Sequence, residues 1–281
     1  MDIHSCLKDR SPPLPCHYSI ETAAQYCGVL PATLRVWQRY GLINPERDEK
    51  GSCWYSESDL TRLHAILKKV TAGVPIALIP PYLNEPDVRP DIEGKIQRRN
   101  SSWRSLQAAI LECLGEGKLP KLRRILWRFG REYPLHCLVN KVLRPIREFL
   151  ATSNQGVLGQ QKGLLDSIII EYATYVMRTS RRHPETQVLL LPMQIDDPLE
   201  LWLEALKLAG EGLNVELISL EVNDPDLSAF KVEHYMIWSD STLDSRQQAK
   251  FDRWLNQGLP VMLVGKAANL KVAYKYQNGD F

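Results

Sequence analysis

Apolar positions near the N-terminus recur at helical spacing and predict two short helices joined by a turn. The first helix covers Tyr18–Cys27, where the small side chains of Ala23 and Ala24 permit close packing. Gly28 supplies the turn, and Pro31 opens the second helix, a position that proline favours. This spacing predicts a helix-turn-helix.

A polar, charged loop follows the second helix. The loop, Asn44–Ser52, precedes the aromatic pair Trp54 and Tyr55, which predicts a two-stranded wing. Ser56 and Asp59 have the spacing of a capping box and should begin a third helix that supports the wing. The apolar face of that helix comprises Leu60, Leu63, Ile66, Leu67 and Val70.

The pattern changes twice beyond this helix. Prolines and acidic residues cluster after residue 80 and predict a linker, and apolar residues at spacings of three and four then predict a bundle of about four helices. Four short apolar runs separated by helical stretches end the chain, which predicts a parallel sheet covered on both faces. The runs are Val188–Leu191, Val215–Leu220, Tyr235–Trp238 and Val261–Val264.

The chain is therefore expected to be a multidomain α and α/β protein. The expected parts are a disordered tail over 1–17, a winged helix-turn-helix over 18–85, a linker over 86–100, a helical bundle over 101–183 and an α/β domain over 184–281.

Composition excludes several classes of protein. With 44% apolar residues among 281, the chain can form real cores, yet no apolar stretch approaches the ~20 residues of a membrane-spanning helix. The N-terminus lacks the basic start and apolar run of a secretory signal. Six cysteines without Cys-x-x-Cys spacing disfavour a metal site and fit a reducing cytoplasm.

The charge is unevenly distributed. Residues 1–183 hold 27 basic against 18 acidic residues, whereas residues 184–260 hold 5 against 14. In the second predicted helix Leu34 lies on the inner face, and no acidic residue occurs among the four residues expected outside it, Arg35, Trp37, Gln38 and Arg39. Such a surface suits the major groove, where arginine pairs with guanine and other groups hold phosphates, although a solvated mixed surface would also explain the charge.

The string TLRVWQRYGLINPER, within the longer run YSIETAAQYCGVLPATLRVWQRYGLINPER, resembles the DNA-binding domain of the MerR family of bacterial regulators, in particular an MlrA-like subgroup. The resemblance implies a homodimer on double-stranded DNA, acting with RNA polymerase at a promoter. It implies these DNA-binding residues: Thr33, Arg35, Trp37, Gln38, Arg39, Arg47 and Tyr55. Trp37 has an alternative place in the core beside Leu34.

Two departures from the family pattern stand out. The family wing usually carries arginine where this chain has Cys53, so a DNA contact by the wing is in question. Pro80 and Pro81 interrupt a segment that the family makes helical, and an interior proline costs a helix about 3 kcal/mol. That helix should be short or kinked.

The later segments LWRFGREYPLHCLVNKVLRPIREFL and DDPLELWLEALKLAGEGLNVELIS are similar to MlrA-like proteins. The resemblance implies a helical cap before a flavodoxin-like, cobalamin-binding-like domain, an activator role at biofilm matrix or curli-type genes, and a cyclic-di-GMP synthase or phosphodiesterase as partner. Residues Met193–Pro198 lack the histidine and glycine with which cobalamin domains hold the cofactor, so no cofactor is expected. A cobalamin- or small-molecule-sensing regulator is the alternative.

Two further clusters of charged residues have more than one interpretation. A basic stripe on one predicted helix could be a solvated face, a docking face for an acidic protein or a phosphate contact; it comprises Lys121, Arg124, Arg128 and Arg131. Asp196, Asp197 and Asp240 end predicted strands and could serve an enzyme, but Asp197 equally caps the helix that opens at Pro198. With no phosphate loop and no nucleophile elbow, catalysis is not expected.

Overall fold

The computed structural model describes residues 17–84, 102–152, 156–181 and 186–265. They belong to two compact units, Met1–Ser102 and Trp103–Phe281. The predicted tail, His17 aside, and the predicted linker over 86–100 lie outside the described residues.

Four α-helices, a 3-10 turn and a small antiparallel sheet make up the described part of unit 1. The strands pair in the order β1-β3-β2, with Tyr18 opposite Tyr55 and Arg47 opposite Cys53. The elements are β1 (Tyr18–Ser19), α1 (Ile20–Tyr26), α2 (Pro31–Arg39), β2 (Glu46–Arg47), β3 (Cys53–Tyr55), α3 (Glu57–Thr71), a 3-10 turn (Ile76–Leu78) and α4 (Ile79–Asn84).

Local signals in the sequence set the ends of these helices. The Ser19 hydroxyl accepts from the Thr22 amide, and Ser56 forms the predicted capping box with Asp59. Gly41 ends α2 at a φ of 69°, its N–H bonded to the Gln38 carbonyl. This left-handed conformation favours glycine and lets the chain turn sharply away from α2.

The prolines after α3 fall where a helix tolerates them. Pro80 and Pro81 lie in the first turn of α4, where no intrahelical N–H bond is lost. The described part of this helix ends at Asn84. The residues after Asn84 lie outside the described ranges, so the expectation of a short or kinked helix stays a prediction.

Unit 2 begins with a helical part. Its helices are α5 (Ser102–Gly115), α6 (Leu119–Glu132), α7 (Leu135–Leu138), a π-helical turn (Val139–Leu143), α8 (Arg144–Ala151) and α9 (Gly156–Ser180). At the crossing of α6 and α9 a Cβ on Gly130 would lie 1.8 Å from the Tyr172 hydroxyl oxygen. Glycine at position 130 therefore leaves the space in which the Tyr172 ring packs against α6.

A parallel four-stranded sheet, in the order β5-β4-β6-β7, completes unit 2. The elements are β4 (Gln187–Gln194), α10 (Leu199–Gly210), β5 (Asn214–Leu217), a 3-10 turn (Leu227–Ala229), β6 (His234–Ser239), α11 (Ser245–Asn256) and β7 (Val261–Val264). The expectation of helices between all runs is wrong for one connection, because β5 and β6 are joined by only a 3-10 turn and loops.

The core of the sheet region lies on both sides of β4, as the continuous apolar run predicts. Leu189 and Leu191 join a cluster with Phe251 and Trp254 of α11. Successive side chains alternate, so Val188 and its neighbours on the other face meet α10. The Ser180 hydroxyl of α9 donates to the Ala209 carbonyl of α10 at 3.0 Å, which ties the helical part to the sheet region.

Within the described ranges, none of the helices combines the length and the hydrophobicity that a bilayer span requires. The cysteines found there are Cys27, Cys53, Cys113 and Cys137, and no disulfide bond joins any two of them.

Candidate nucleic-acid interface

The outer face of α2 is short, basic and exposed. Arg35 and Arg39 lie four residues apart, and Ala32 lies three residues before Arg35, so the three share one face. All three are exposed, and α2 contains no acidic residue. No hydrogen bond or ion pair joins Arg35 to another described residue, so its guanidinium is available to a ligand.

The inner face of α2 corrects the expectation for Trp37. Its side chain is 0% exposed and belongs to the core with Leu34 and Leu63. A fully buried indole cannot pack against a DNA backbone, so the exposed position expected for Trp37 is wrong. The spacing of three residues between Leu34 and Trp37 puts both on one helix face, and burial of the large ring decides which way that face turns.

Thr33 and Tyr55 are also buried, with exposures of 1% and 0%. The expectation that they lie on the DNA-binding surface is therefore wrong. Gln38, half-buried, donates from its amide nitrogen to the Tyr55 hydroxyl at 2.5 Å. Burial raises the pKa of Tyr55 to about 12, so the hydroxyl is neutral near pH 7. This bond ties α2 to the central strand β3.

The chain leaving α2 is held in place by α3. The Leu42 N–H bonds the Trp37 carbonyl at 3.0 Å, which closes the turn at Gly41. The Arg62 Nε donates to the Leu42 carbonyl at 2.6 Å. Leu42 and Ile43 are both buried, so the end of α2 is fixed from both sides.

A hairpin of β2 and β3 lies where the wing was expected, and Asp48 organises its turn. One carboxylate oxygen accepts from the amides of Lys50 and Ser52, and the other accepts from the Trp54 indole N–H at 3.0 Å. The bond from Trp54 and those from the amides lower the pKa of Asp48, because each favours the charged form. Asp48 therefore holds the turn as a carboxylate.

Arg47 lies exposed on this hairpin and faces Cys53 across the strand pair. Directly opposed residues in an antiparallel pair project from the same face. A cation therefore stands beside the position that arginine usually occupies in the resembling family. Its guanidinium donates to the Gly51 carbonyl at 3.5 Å, a long bond that leaves most donors in solvent.

Sequence reasoning missed two exposed residues on the same elements. Tyr40 is 42% exposed at the end of α2, and Lys50 is exposed in the hairpin turn. Tyr40 directly follows Arg39, and Lys50 lies in the hairpin turn three residues after Arg47. Sequence patterns set the ends of such elements only within about two to four residues, so they do not show that these two side chains belong to the same surface.

The acidic residues of unit 2 that could have served an enzyme make local bonds instead. Asp240 accepts from the Asp196 amide at 2.7 Å, and Asp197 accepts from the Leu199 amide at 3.1 Å. The helix begins one residue later than predicted, at Leu199, and its N-cap is Pro198 rather than Asp197. Within the described ranges no group of three or more histidine, cysteine or acidic side chains is placed to hold a metal ion.

A cleft of about 530 Å³ borders the carboxyl end of the sheet. Arg147 lines this cleft, although its side chain is only 4% exposed. Its guanidinium binds three carboxylates: Asp166 at 2.7 Å, Asp197 at 2.7 Å and Glu200 at 3.4 Å. Burial raises the pKa of Asp197, but the bond and charge of Arg147 outweigh burial, so this pKa lies below its ordinary value. The ion pairs join α8 and α9 to the segment that begins α10.

The residues at this cleft do not fit cobalamin ligation. The loop after β4 holds no histidine, His234 begins β6 at the opposite edge, and His183 lies outside the described residues. None of the described histidines lines the cleft. A Cβ on Gly265 would lie 2.7 Å from the Ser239 carbonyl oxygen and 3.0 Å from the Trp238 ring, so the strand ends are closely packed.

Comparisons with known proteins match three consecutive regions. Residues 18–85 match the family described as MerR HTH family regulatory protein. Residues 103–178 match the helical domain, and residues 186–261 the C-terminal domain, of the family described as Transcriptional regulator MlrA. The matched regions correspond to unit 1, to the helical part of unit 2 and to its sheet region.

Individual relatives give the same picture. The HTH-type transcriptional regulator MlrA of Escherichia coli (strain K12) is 26% identical over 249 residues, 88% of this chain and 98% of that protein. The protein of that name from Salmonella typhimurium (strain SL1344) is 25% identical with the same coverage. The mercuric resistance operon regulatory protein of Bacillus cereus is 42% identical over 57 residues, 20% of this chain and 43% of that protein.

Proposed function

Because the chain belongs to the MlrA-like regulators of the MerR family, we propose that it recognises a particular DNA sequence through α2 and the hairpin β2–β3. Membership makes it a DNA-binding transcription regulator rather than an enzyme. The observation that carries the recognition proposal is Arg35, exposed and without a hydrogen bond or ion pair to a described residue, on an acid-free helix face.

Each exposed group has a role that its chemistry supports. Arg35 reaches a guanine edge or a phosphate in the major groove, and Arg39, on the same face, neutralises a neighbouring phosphate. Gln38 keeps only part of its amide for DNA, because Tyr55 takes one of its donors. Arg47 supplies the wing cation beside Cys53. A winged helix-turn-helix is the fold that these elements support.

The sheet of unit 2 supports a flavodoxin-like assignment. Its order, β5-β4-β6-β7, is that of the first four strands of a flavodoxin-like sheet, 2-1-3-4. The crossover without a helix departs from that pattern. Because its carboxyl edge does not fit cobalamin, we assign this domain to protein contacts, with a cyclic-di-GMP synthase or phosphodiesterase as the partner and biofilm matrix or curli-type genes as targets.

The regulator acts as a homodimer, because one recognition helix reads only a half-site and a two-fold operator supplies the second. Analytical ultracentrifugation of the full chain with duplex should then give two chains per DNA. One chain per duplex at saturation would contradict the dimer.

Chromatin mapping of the full chain, with transcript profiles of a deletion strain, tests the proposed function. Bound sites should lie at promoters whose transcripts change on deletion, and an Arg35→Ala strain should lose most of them at unchanged protein level. Binding without promoter enrichment, or transcripts that do not change, would contradict the proposal. Matrix genes absent from the changed set would contradict the target assignment alone.

A further inference from the structure

The exposed face of α6 carries four cations and is the basic surface that the recognition elements do not use. Lys121, Arg124, Arg128 and Arg131 are all exposed and follow one another at spacings of three, four and three residues. These spacings put them on one helix face, and at 1.5 Å rise per residue the stripe is about 15 Å long.

The stripe has no acidic partner in the described part of the chain. Some other arginines of unit 2 form ion pairs: Arg123 of the same helix binds Glu171 at 2.7 Å, and Arg181 binds Glu216 at 2.7 Å. The nearby Glu116 binds Lys118. Four unpaired cations on one face leave a strong positive potential that attracts an anion.

Intramolecular contacts extend the guanidinium groups along the helix without neutralising them. Arg131 donates from Nε to the Trp127 carbonyl at 3.3 Å, and Arg124 makes a longer bond to the Pro120 carbonyl at 3.5 Å. The Arg128 guanidinium carbon lies 5.1 Å from the centre of the Phe129 ring. The terminal nitrogens remain free to bind phosphate oxygens.

The composition of the face favours a nucleic acid over a protein. Interfaces between proteins have an apolar core, but none of the large exposed hydrophobic residues lies on α6. The aromatic side chains of α6 pack internally, Trp127 against Tyr172 at 4.6 Å and Phe129 against Tyr133 at 5.3 Å. A row of cations without an apolar centre suits a phosphate backbone.

We propose that the α6 stripe is a second, sequence-independent DNA-binding surface that holds the phosphate backbone while α2 reads the bases. This inference rests on the proposed DNA binding. The stripe in unit 2 then contributes to the affinity for any DNA and to its salt dependence, and unit 1 determines which DNA sequence is preferred.

The test compares two double variants of the full chain that lose the same charge. Arg124→Gln with Arg128→Gln removes two stripe cations, and Arg123→Gln with Arg181→Gln removes two paired ones. Each is titrated by fluorescence anisotropy at several salt concentrations, against a duplex selected from a random pool by the wild type and against a scrambled duplex. Thermal unfolding checks that each variant is folded.

The stripe variant should weaken binding to both duplexes by a similar factor, with the slope of log K against log salt reduced in magnitude by about 2, near 0.9 for each lost phosphate contact. The paired variant should keep the wild-type slope. The proposal that the stripe binds DNA is overturned if the stripe variant keeps the wild-type affinity and salt slope. It is also overturned if the paired variant loses as much DNA affinity as the stripe variant.

The outcomes separate the two proposals. A wild type that binds both duplexes equally contradicts the sequence-specific function, and a changed stripe slope would still support the α6 surface. A stripe variant with unchanged DNA binding but altered self-association, seen by ultracentrifugation, overturns the DNA assignment in favour of a protein contact.

Discussion

Arg35 and Trp37 are two residues apart on α2 and have opposite environments. Arg35 is exposed without a hydrogen bond or ion pair to a described residue, whereas Trp37 is fully buried. A cation that stabilises nothing within the fold can serve a ligand, and a buried ring serves the core. The two side chains therefore give separate tests of recognition and of stability.

Arg35→Ala should leave thermal unfolding nearly unchanged, since surface substitutions usually change stability by less than about 0.5 kcal/mol. It should weaken binding to the selected duplex by about 1 to 3 kcal/mol if it makes a paired base contact. Lys68→Ala removes the same charge from an exposed position on α3 and is the control. Equal losses in the two variants would show that charge alone, not a contact by Arg35, was removed.

Trp37→Ala should destabilise the protein by about 3 to 5 kcal/mol, the usual cost of deleting a large buried aromatic side chain. Denaturant unfolding followed by circular dichroism measures this loss. Trp37→Phe should cost less because it keeps most of the buried area. If the alanine variant kept wild-type stability but lost DNA affinity, Trp37 would be a DNA-contacting residue and not a core residue.

The sequence predicts α2 well but not which of its side chains touch DNA. Helical spacing left two places open for Trp37, beside Leu34 in the core or near the exposed face of Arg35, and the resemblance favoured the exposed place. The predictions for Thr33 and Tyr55 were wrong for a similar reason, because resemblance to a position in the family does not show whether the side chain is buried. Arg35 was predictable, since a charged residue among apolar neighbours takes the exposed side of a helix.

At the scale of elements, the hairpin β2–β3 depends on one carboxylate. Asp48→Ala removes the acceptors for Lys50, Ser52 and Trp54 and should loosen the turn, so DNA affinity should fall although a negative charge is lost. Glu49→Ala removes the same charge from the exposed neighbour and should bind DNA as well as wild type or more tightly. Tighter binding by the Asp48 variant would show that the hairpin does not contact DNA.

The ion pairs that join α8 and α9 to the start of α10 make stability depend on pH. Because the pKa of Asp197 is lowered in the folded state, its stabilisation is present above its ordinary value and is lost as pH falls through the lowered value. Asp197→Asn should remove this part of the acid dependence of thermal unfolding. Asp224→Asn, at a position whose side chain is 77% exposed, is the control and should keep it. An unchanged acid profile in the Asp197 variant would contradict the role of the pair.

Element types were largely predictable from periodicity, and exceptions arose where tertiary packing decides. The four apolar runs became β4 to β7. The signal is clearest for β4 and β6, because a strand buried on both faces has a nearly unbroken apolar sequence. The helix-free connection between β5 and β6 carried no clear signal, since polar residues there fit a loop or a surface helix. Nor did local pattern reveal the contact between Gly130 and Tyr172 or the ion pairs of Arg147, which join distant segments.

At the scale of the whole molecule, the proposed recognition elements and the proposed second DNA-binding surface belong to different units. Unit 1 carries the recognition helix and the hairpin, and unit 2 carries the basic stripe of α6, the cleft and the sheet. The uneven charge of the sequence predicts a polyanion partner, and we propose two surfaces that bind it, the outer face of α2 and the stripe of α6. The resemblance to MlrA-like regulators along nearly the whole chain was correct, as the three consecutive family matches confirm.

The most direct measurement of the central claim is the ratio of affinities for specific and scrambled DNA at physiological salt. Full-length protein is titrated against a duplex enriched from a random pool and against a shuffled duplex of the same composition and length. We expect a preference of about a thousandfold or more for the enriched sequence, since a thousandfold is the lower end for sequence-specific DNA-binding proteins. Equal affinity for the two duplexes would contradict recognition of a particular sequence by α2.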